Sequence, residues 1–224
     1  LAELRKRFNL NGKKVILFLG RLETIKGVHT LIESLHYLPG KDKKLVLVGD
    51  GKMRKTLEAL VKAKKEKDRV IFAGMQTDTA PFYKMADVTV VPSARESFGN
   101  VNLEAALAGS PLIASKIDGI PEIITDDRFG YLLKPKIDPS RYSYLDESSM
   151  PDYVVEPDTM ELMKPKFLDP KELADTIALV LEREPEAAKE KAKNLKQRVI
   201  KEFSMGKREQ RFRELIEEIT RHKY

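Results

Sequence analysis

Short apolar runs alternate with amphipathic stretches over the first 133 residues. Most of the runs are continuous, which is typical of strands in a parallel sheet that is covered on both faces. We predict six strands, at 15–20, 44–51, 69–74, 88–93, 111–115 and 130–135. Between these strands, apolar residues recur every three or four positions, which predicts helices at 27–38, 52–67, 80–87, 100–109 and 119–124.

This alternation predicts a Rossmann-like, three-layer α/β/α fold built on a parallel sheet. Three further helices are predicted at 169–182, 185–203 and 207–224. We expect one domain, with its core in 13–133 and 167–203. Residues 134–166 contain five prolines and three tyrosines without a regular period, so we interpret them as an insertion.

Composition narrows the class of protein only moderately. With 42% hydrophobic residues and 34% charged residues in 224, the chain is expected to be globular and cytoplasmic, with peripheral membrane attachment left open. It has no cysteine, and no apolar run reaches the roughly 20 residues that span a bilayer. The net charge of +6 comes from mixed signs, which argues against nucleic-acid binding. Abundant Lys and Glu suggest a thermophilic source.

The ends of the predicted strands carry the candidate chemistry, because open α/β sheets bind ligands there. The loop GRLETIKG follows the first strand and contains Arg21 and Lys26. A guanidinium and an ammonium group suit a polyphosphate, although two surface cations are the simpler alternative. The G-x-G of VGDGKM lacks a third glycine, so it indicates a glycine turn that lets a ligand approach the backbone rather than a dehydrogenase fingerprint.

Two glutamates, Glu96 and Glu104, stand eight positions apart in ARESFGNVNLEAALAG. Gly99 argues against one continuous helix through both. With a helix beginning at Asn100 as N-cap, Glu96 lies in the loop before it and Glu104 near its first turn. The N–H groups of 100–102 would then form an anion site between two carboxylates. This arrangement suits a nucleotide sugar, which has hydroxyl groups on both sides of a diphosphate.

These motifs, together with MADVTVVPSARESFGNVNLEAALAGSPLIAS, DGIPEII and DPKELADTI, resemble the C-terminal, donor-binding domain of GT-B retaining glycosyltransferases of family 4. The resemblance covers most of 13–133 and returns at 169–177. It implies a hexosyltransferase that uses a UDP-, GDP- or ADP-sugar without a metal ion. Three features depart from the family pattern: Ser97 replaces a common Gly or Pro, Asp118 precedes Gly119 where Gly-Gly is common, and 134–166 is longer than usual.

The resemblance also assigns roles to individual positions. Arg21 and Lys26 match the cations that hold the diphosphate. Glu96 matches the glutamate that contacts the transferred sugar, and Glu104 the one that binds the ribose. The backbone amides of Gly99, Asn100 and Val101 match the loop over the phosphates and the sugar, and Ser97 and Phe98 are expected to bind substrate beside them. The segment from Gly74 through Met75 to Gln76 matches the one that contacts the base.

The predicted mechanism is stabilisation of the leaving diphosphate by Arg21, Lys26 and the helix N-terminus. Glu96 is either a nucleophile or, as the resemblance favours, a residue that positions the sugar. Metal ligands are not clustered in the sequence, since the three histidines, His29, His36 and His222, are scattered. The acceptor, a sugar, glycan or lipid, would bind a second domain upstream of Leu1, so we expect this chain to bind its donor weakly and without turnover.

Three alternative functions stay open at this point. The chain could be a regulatory or scaffold module that binds nucleotides without transfer, or another nucleotide-diphosphate-releasing enzyme such as a phosphorylase. Nucleic-acid binding is the third alternative and the one that the composition supports least. Exposed apolar faces, including the last helix, leave oligomerisation open. The base, the sugar and the acceptor are not determined by the sequence.

Overall fold

The computed structural model describes residues 1–204, 206–207 and 209–214. Within them, a six-stranded sheet has the order β3-β2-β1-β4-β5-β6. The strands are β1 (Lys14–Leu19), β2 (Lys43–Val48), β3 (Val70–Gly74), β4 (Val88–Val91), β5 (Leu112–Ser115) and β6 (Tyr131–Leu133). All neighbouring strands of this sheet pair in parallel. The predicted Rossmann-like α/β/α fold is confirmed.

The helices cover both faces of the sheet. They are α1 (Ala2–Arg7), α2 (Val28–Ser34), α3 (Arg54–Ala63), α4 (Ala80–Met85), α5 (Asn100–Ala108), α6 (Ile120–Ile123), α7 (Pro170–Ala178) and α8 (Pro185–Glu202). Two clusters of buried apolar residues result, one on each face. Alternate residues of β1 divide between them: Ile16 and Phe18 belong to one cluster, Val15 and Leu17 to the other. The continuous apolar run therefore reflects burial on both faces.

The C-terminal helices begin largely where the pattern predicts them. The Asp169 side chain accepts hydrogen bonds from the N–H groups of Lys171 and Glu172 and so caps α7. After α7 the chain forms a π-helical turn at Leu179–Arg183 before α8 begins at Pro185. The predicted helix 207–224 lies mostly outside the described residues, although 209–214 are helical.

The segment 134–166 is more regular than its composition indicates. It contains an antiparallel hairpin of β7 (Val154–Glu156) and β8 (Glu161–Met163), preceded by two 3₁₀ turns. The sequence pattern predicts an insertion here but does not predict the hairpin. The pattern missed it because three-residue strands are too short to show a period.

Aromatic side chains fix the first part of this segment to the main core. Tyr142 and Phe167 are almost fully buried and pack edge-on against the ring of His29 in α2. Ile137 and Phe167 also pair through a backbone bridge. The segment consequently lies against α2 and the sheet rather than extending away from the domain.

Candidate functional site

The site lies where the sheet changes its winding direction, between β1 and β4. Strands β2 and β3 lie on one side of this point and β5 and β6 on the other. Such a switch point leaves a crevice at the carboxyl ends of the strands. The loops after β1 and β4 meet there, and the N–H of Ala94 donates to the carbonyl oxygen of Ile25 at 2.7 Å.

Gly27 allows the two loops to approach this closely. It has φ = 65°, and a Cβ atom at this position would lie 2.0 Å from the carbonyl oxygen of Pro92. Any larger residue would therefore have to separate the loops, besides adopting a conformation that favours glycine. Gly27 follows Lys26 directly, so the close approach of the two loops also brings Lys26 near the loop after β4.

Lys26 and Glu96 form an ion pair at this point. The Nζ of Lys26 donates to Oε2 of Glu96 at 2.7 Å, although the two residues are 70 positions apart in the chain. Their side chains are only 17% and 14% exposed, so solvent screens the pair weakly. The hydroxyl of Ser93 lies 3.4 Å from the same carboxylate oxygen. Two of the residues singled out in the sequence thus contact each other directly.

Arg21 lies farther out in the same loop. Its side chain is 69% exposed and pairs with Glu23 at 2.7 Å. It lines a cleft of about 500 Å³ above the ends of β1, β2 and β3. Arg21 therefore stands at the rim of the site, whereas Lys26 is partly enclosed.

Helix α5 begins next to Glu96. Gly99, with φ = 82°, is the N-cap, so the expectation of Asn100 as N-cap is wrong by one position. The N–H of Asn102 donates to the carbonyl oxygen of Gly99 at 2.8 Å, which removes it from the predicted anion site. Within the described ranges, the N–H groups of Asn100 and Val101 donate no hydrogen bond, so two of the three predicted donors are available.

The two residues between Glu96 and Gly99 face different surroundings. Ser97 is exposed, and its carbonyl oxygen lies 2.2 Å from where a Cβ atom on Gly119 would be. Phe98 is half-buried, with its ring 5.7 Å from that of Phe203 at the end of α8. The loop is thus packed on both sides by distant parts of the chain.

Glu104 has a partner that the sequence did not indicate. The hydroxyl of Tyr83 in α4 donates to Oε2 of Glu104 at 2.9 Å. Burial raises the pKa of Tyr83 well above its usual range, and the Glu104 carboxylate raises it further, so the phenol remains a donor. Tyr83 occupies an ordinary apolar position of a short helix, and for this reason no sequence signal distinguished it.

The cleft beside Arg21 is mostly apolar. Its walls include the glycines after β1 and β2 and the segment after β3. Gly74 has φ = 70°, and Met75, which follows it, is 80% exposed. The side-chain amide of Gln76 donates to the carbonyl oxygen of Ala73 at 2.7 Å and so braces this turn. The residues that line the cleft are Leu19, Gly20, Arg21, Val48, Gly49, Asp50, Gly51, Met75, Gln76 and Thr79.

The G-x-G of the second loop has a structural reason. A Cβ atom on Gly49 would lie 2.0 Å from the carbonyl oxygen of Gly20, and one on Gly51 would lie 2.5 Å from that of Leu22. The two glycines therefore let the loops after β1 and β2 pack against each other. The approach of a ligand to this turn stays a prediction, and Gly49 and Gly51 form part of the wall of the cleft.

Asp118 is a further residue whose role the sequence did not reveal. Its carboxylate accepts hydrogen bonds from the N–H of Glu96 at 2.9 Å and from the N–H of Val155 at 2.8 Å. The sequence marked Asp118 only as a departure from a glycine. Its partners are 22 and 37 residues away in the chain, beyond the reach of any local motif.

The part of the chain that the structure describes has neither a cluster of metal ligands nor a membrane-spanning helix. Over 1–204 and the short ranges that follow, no group of three or more His, Asp or Glu side chains is arranged to hold a metal ion. In the same part of the chain, no helix combines the length and the apolarity needed to cross a membrane.

Comparison with known proteins first defines the class. The fold is that of GT-B glycosyltransferases. Sucrose-phosphate synthase from Thermosynechococcus elongatus superposes with a TM-score of 0.73 at 27% identity, over 99% of this chain and 49% of that one. Anabaena HepE, solved with UDP-glucose, gives a TM-score of 0.76 at 23% identity, over 97% and 52% of the two chains.

Sequence comparison then gives the family. The model of glycosyl transferases group 1 matches residues 2–145, and the chain belongs to this family. Similar proteins include the glycosyltransferase MJ1607 of Methanocaldococcus jannaschii, 42% identical over 129 residues, or 56% of this chain and 33% of that protein. N-acetyl-alpha-D-glucosaminyl L-malate synthase of Bacillus anthracis is 34% identical over 134 residues, or 59% and 35% of the two chains. The matched part of this chain thus spans about a third of these curated relatives.

Proposed function

We propose that this chain is the C-terminal, donor-binding domain of a retaining GT-B glycosyltransferase of family 4. It binds a nucleotide-diphosphate sugar and, together with an acceptor-binding domain, transfers the sugar to an acceptor. The observation that carries the proposal is the contact of Lys26 with Glu96 at the switch point, at 2.7 Å. It supports a site in which a phosphate and a sugar are bound next to each other.

The contact indicates where the reacting bond would lie. A phosphate held by Lys26 and a sugar held by Glu96 would be neighbours, so the bond that joins them falls between the two side chains. When this bond breaks, negative charge develops on the diphosphate. In the proposed mechanism, Lys26 and the N–H groups of Asn100 and Val101 stabilise that charge, and no metal ion is required. Arg21, at the rim, adds a weaker contribution because solvent screens it.

The other predicted residues complete the donor site. The Glu104 carboxylate, oriented by Tyr83, binds the ribose hydroxyls. The base occupies the 500 Å³ cleft that Met75 lines, next to the turn that Gly74 forms. Ser97, Phe98 and Gly99 cover the phosphates and the sugar. Two solved structures of similar fold support this class of ligand: Anabaena HepE has been solved with UDP-glucose, and TarM of S. aureus with UDP.

The role of Glu96 in the chemistry has two alternatives. As a nucleophile it would need an unobstructed path to the anomeric carbon. In this structure its carboxylate is engaged by Lys26 and Ser93, and its loop is held by Asp118. This surrounding favours a carboxylate that binds sugar hydroxyls and positions the ring, with attack on the same face as the leaving group.

Calorimetric titration of the chain tests the proposal. UDP, GDP and ADP are titrated first, and then their glucose and mannose derivatives. We expect one nucleoside diphosphate to bind with a Kd in the micromolar to millimolar range, and one of its sugars to bind more tightly than the diphosphate. Binding of none of these ligands to a folded chain would contradict the proposal, and it would equally contradict the alternative of a module that binds nucleotides without transfer.

A further inference from the structure

One side chain, Asp118, connects the loop of Glu96 to the inserted hairpin. The backbone N–H of Glu96 donates to Oδ2 of Asp118 at 2.9 Å, and that of Val155 in β7 donates to Oδ1 at 2.8 Å. The N–H of Asp118 in turn donates to the carbonyl oxygen of Val155 at 3.1 Å. Each carboxylate oxygen thus has its own partner, on a different segment of the chain.

The backbone of Asp118 is held in an unfavourable conformation. Its φ of 45° lies in the left-handed region. This conformation is less favourable for aspartate than for glycine, because the Cβ atom of aspartate crowds the backbone. The next residue, Gly119, donates its N–H to the carbonyl oxygen of Glu96 at 3.4 Å. The turn at 117–119 is therefore pressed against the Glu96 loop, and the carboxylate bonds offset the strain.

The hairpin is attached to this turn by Asp118 more firmly than by its ion pairs. Lys116 and Asp158 approach to 2.5 Å and Lys134 and Glu156 to 3.0 Å, but at least one partner of each pair is more than half exposed. Exposed pairs contribute little to stability. Bonds from backbone N–H groups to a partly enclosed carboxylate are charge-assisted and stronger.

We propose that Asp118 is a positioning residue for Glu96: its carboxylate fixes the Glu96 loop to the inserted hairpin β7–β8 and so holds Glu96 where it meets the donor sugar. The role rests on the proposed function, in which Glu96 contacts the sugar. Asp118 itself acts only through the backbone of the loop. The hairpin thereby becomes part of the support of the sugar site.

Three variants separate this role from a general structural one. Asp118→Gly removes both carboxylate bonds and relieves the left-handed strain, so the chain is expected to fold. Asp118→Asn keeps one carbonyl oxygen as an acceptor for one of the two donors. Asp138→Gly is the matched control, because Asp138 is an exposed loop carboxylate that accepts the N–H of Ser140 within its own turn at 2.9 Å.

The first measurement is calorimetric, with the nucleoside diphosphate and the nucleotide sugar that bind the wild-type chain best. The readout is the ratio of two dissociation constants, the Kd of the nucleoside diphosphate divided by the Kd of its nucleotide sugar. We call this ratio the sugar gain. In Asp118→Gly we expect the Kd of the diphosphate to stay within about twofold and the sugar gain to fall about tenfold, the equivalent of one charge-assisted bond. Asp118→Asn should fall in between, and Asp138→Gly should match the wild type.

The second measurement is amide hydrogen exchange without ligand. The amides of Glu96 and Val155 are expected to exchange at least about tenfold faster in Asp118→Gly, and to be unchanged in Asp138→Gly. This readout reports the connection between loop and hairpin independently of any donor.

The outcomes distinguish the two proposals. Unchanged exchange in Asp118→Gly would overturn the connection. Faster exchange with an unchanged sugar gain would show that Asp118 only stabilises the loop, which overturns the positioning role and leaves the proposed function standing. A wild-type chain that binds a diphosphate without any gain from its sugar would refute the sugar contact of Glu96. A folded wild-type chain that binds no nucleotide would overturn the proposed function and the positioning role with it.

Discussion

Lys26 and His29 are three residues apart, yet they belong to regions of opposite character. Lys26 ends the loop after β1 and pairs with Glu96 in a partly enclosed, charged site. His29 is 1% exposed in α2 and lies among aromatic rings, with centroids 4.5 Å from Tyr142 and 4.4 Å from Phe167. The ion-pair region keeps charges in place for a ligand, whereas the aromatic region fixes the inserted segment to the core.

The difference has a simple cause. Gly27 turns the chain between the two residues, so that the lysine points to the switch point and α2 enters the core. Burial lowers the pKa of His29 to about 3, and the imidazole is neutral at physiological pH. We therefore expect changes in the ion-pair region to alter function with little effect on stability, and changes in the aromatic region to do the reverse.

The largest effect is expected from Glu96→Gln. In a chain extended to the full length of its relatives, this change should reduce sugar transfer about a thousandfold or more, because an interaction at the reacting centre is lost. Binding of the nucleoside diphosphate should stay within about threefold. Steady-state kinetics with the donor identified by titration would measure the loss. Glu190→Gln, an exposed change on α8, is the control, and wild-type turnover in Glu96→Gln would refute the assignment.

Phe167→Ala is expected to be the most destabilising change in the aromatic region. The side chain is fully buried, so the change should lower the free energy of unfolding by about 3–5 kcal/mol. Chemical denaturation measures this loss. The exposed Phe212 provides the control, because Phe212→Ala should change stability by less than about 0.5 kcal/mol. Below the unfolding transition, nucleotide affinity should match the wild type; a large loss of affinity would mean that the two regions are coupled.

Lys26→Ala should weaken nucleoside diphosphate binding about ten- to thirtyfold. The reason is the loss of a charge-assisted contact worth about 1.5–2 kcal/mol in a site that solvent screens weakly. Calorimetry gives the ratio of Kd values, with Lys55→Ala on the exposed face of α3 as the control. Equal losses in both variants would indicate an effect of net charge and not a phosphate contact.

Low pH should lower the free energy of unfolding through His29 in the aromatic region. Because the folded-state pKa of His29 lies below its value of about 6.5 in the unfolded chain, the unfolded state binds more protons between these values. This contribution to stability is complete above about pH 6.5 and is lost as the pH falls toward 3, by up to about 1.4 kcal/mol per pH unit.

Denaturation curves at several pH values check this sign. His29→Leu should flatten the loss of stability between about pH 6 and pH 4, whereas a change of the exposed His36 to Leu should leave the slope as it is. An identical slope in wild type and His29→Leu would show that other groups cause the acid sensitivity.

Arg21→Ala is expected to have the smallest effect of these variants. The side chain is 69% exposed, so its contribution to diphosphate binding should be about two- to fivefold at low salt and should shrink as salt is added. Titration at two ionic strengths measures it. A loss as large as that of Lys26→Ala would mean that the bound donor encloses Arg21.

The sheet and most helices could be predicted because their cause is local. Continuous apolar runs such as 15–20 and helical spacing such as 169–182 repeat within a few residues, and burial on both faces of a parallel sheet requires them. The hairpin β7–β8 could not be predicted, since its strands are held by Asp118 and by ion pairs to other segments and have no period of their own.

The sequence by itself determined the fold, the position of the cations after β1 and of the glutamates after β4, and the family motifs. Only the tertiary structure decided which side chains are in contact. Lys26 pairs with Glu96, and Tyr83 donates a hydrogen bond to Glu104. Asp118 accepts hydrogen bonds from both Glu96 and Val155. The physical reason is the separation along the chain of the residues that interact. Strand and helix patterns arise from neighbours within a few residues, whereas these contacts join segments 21 to 70 residues apart, which only the winding of the sheet brings together.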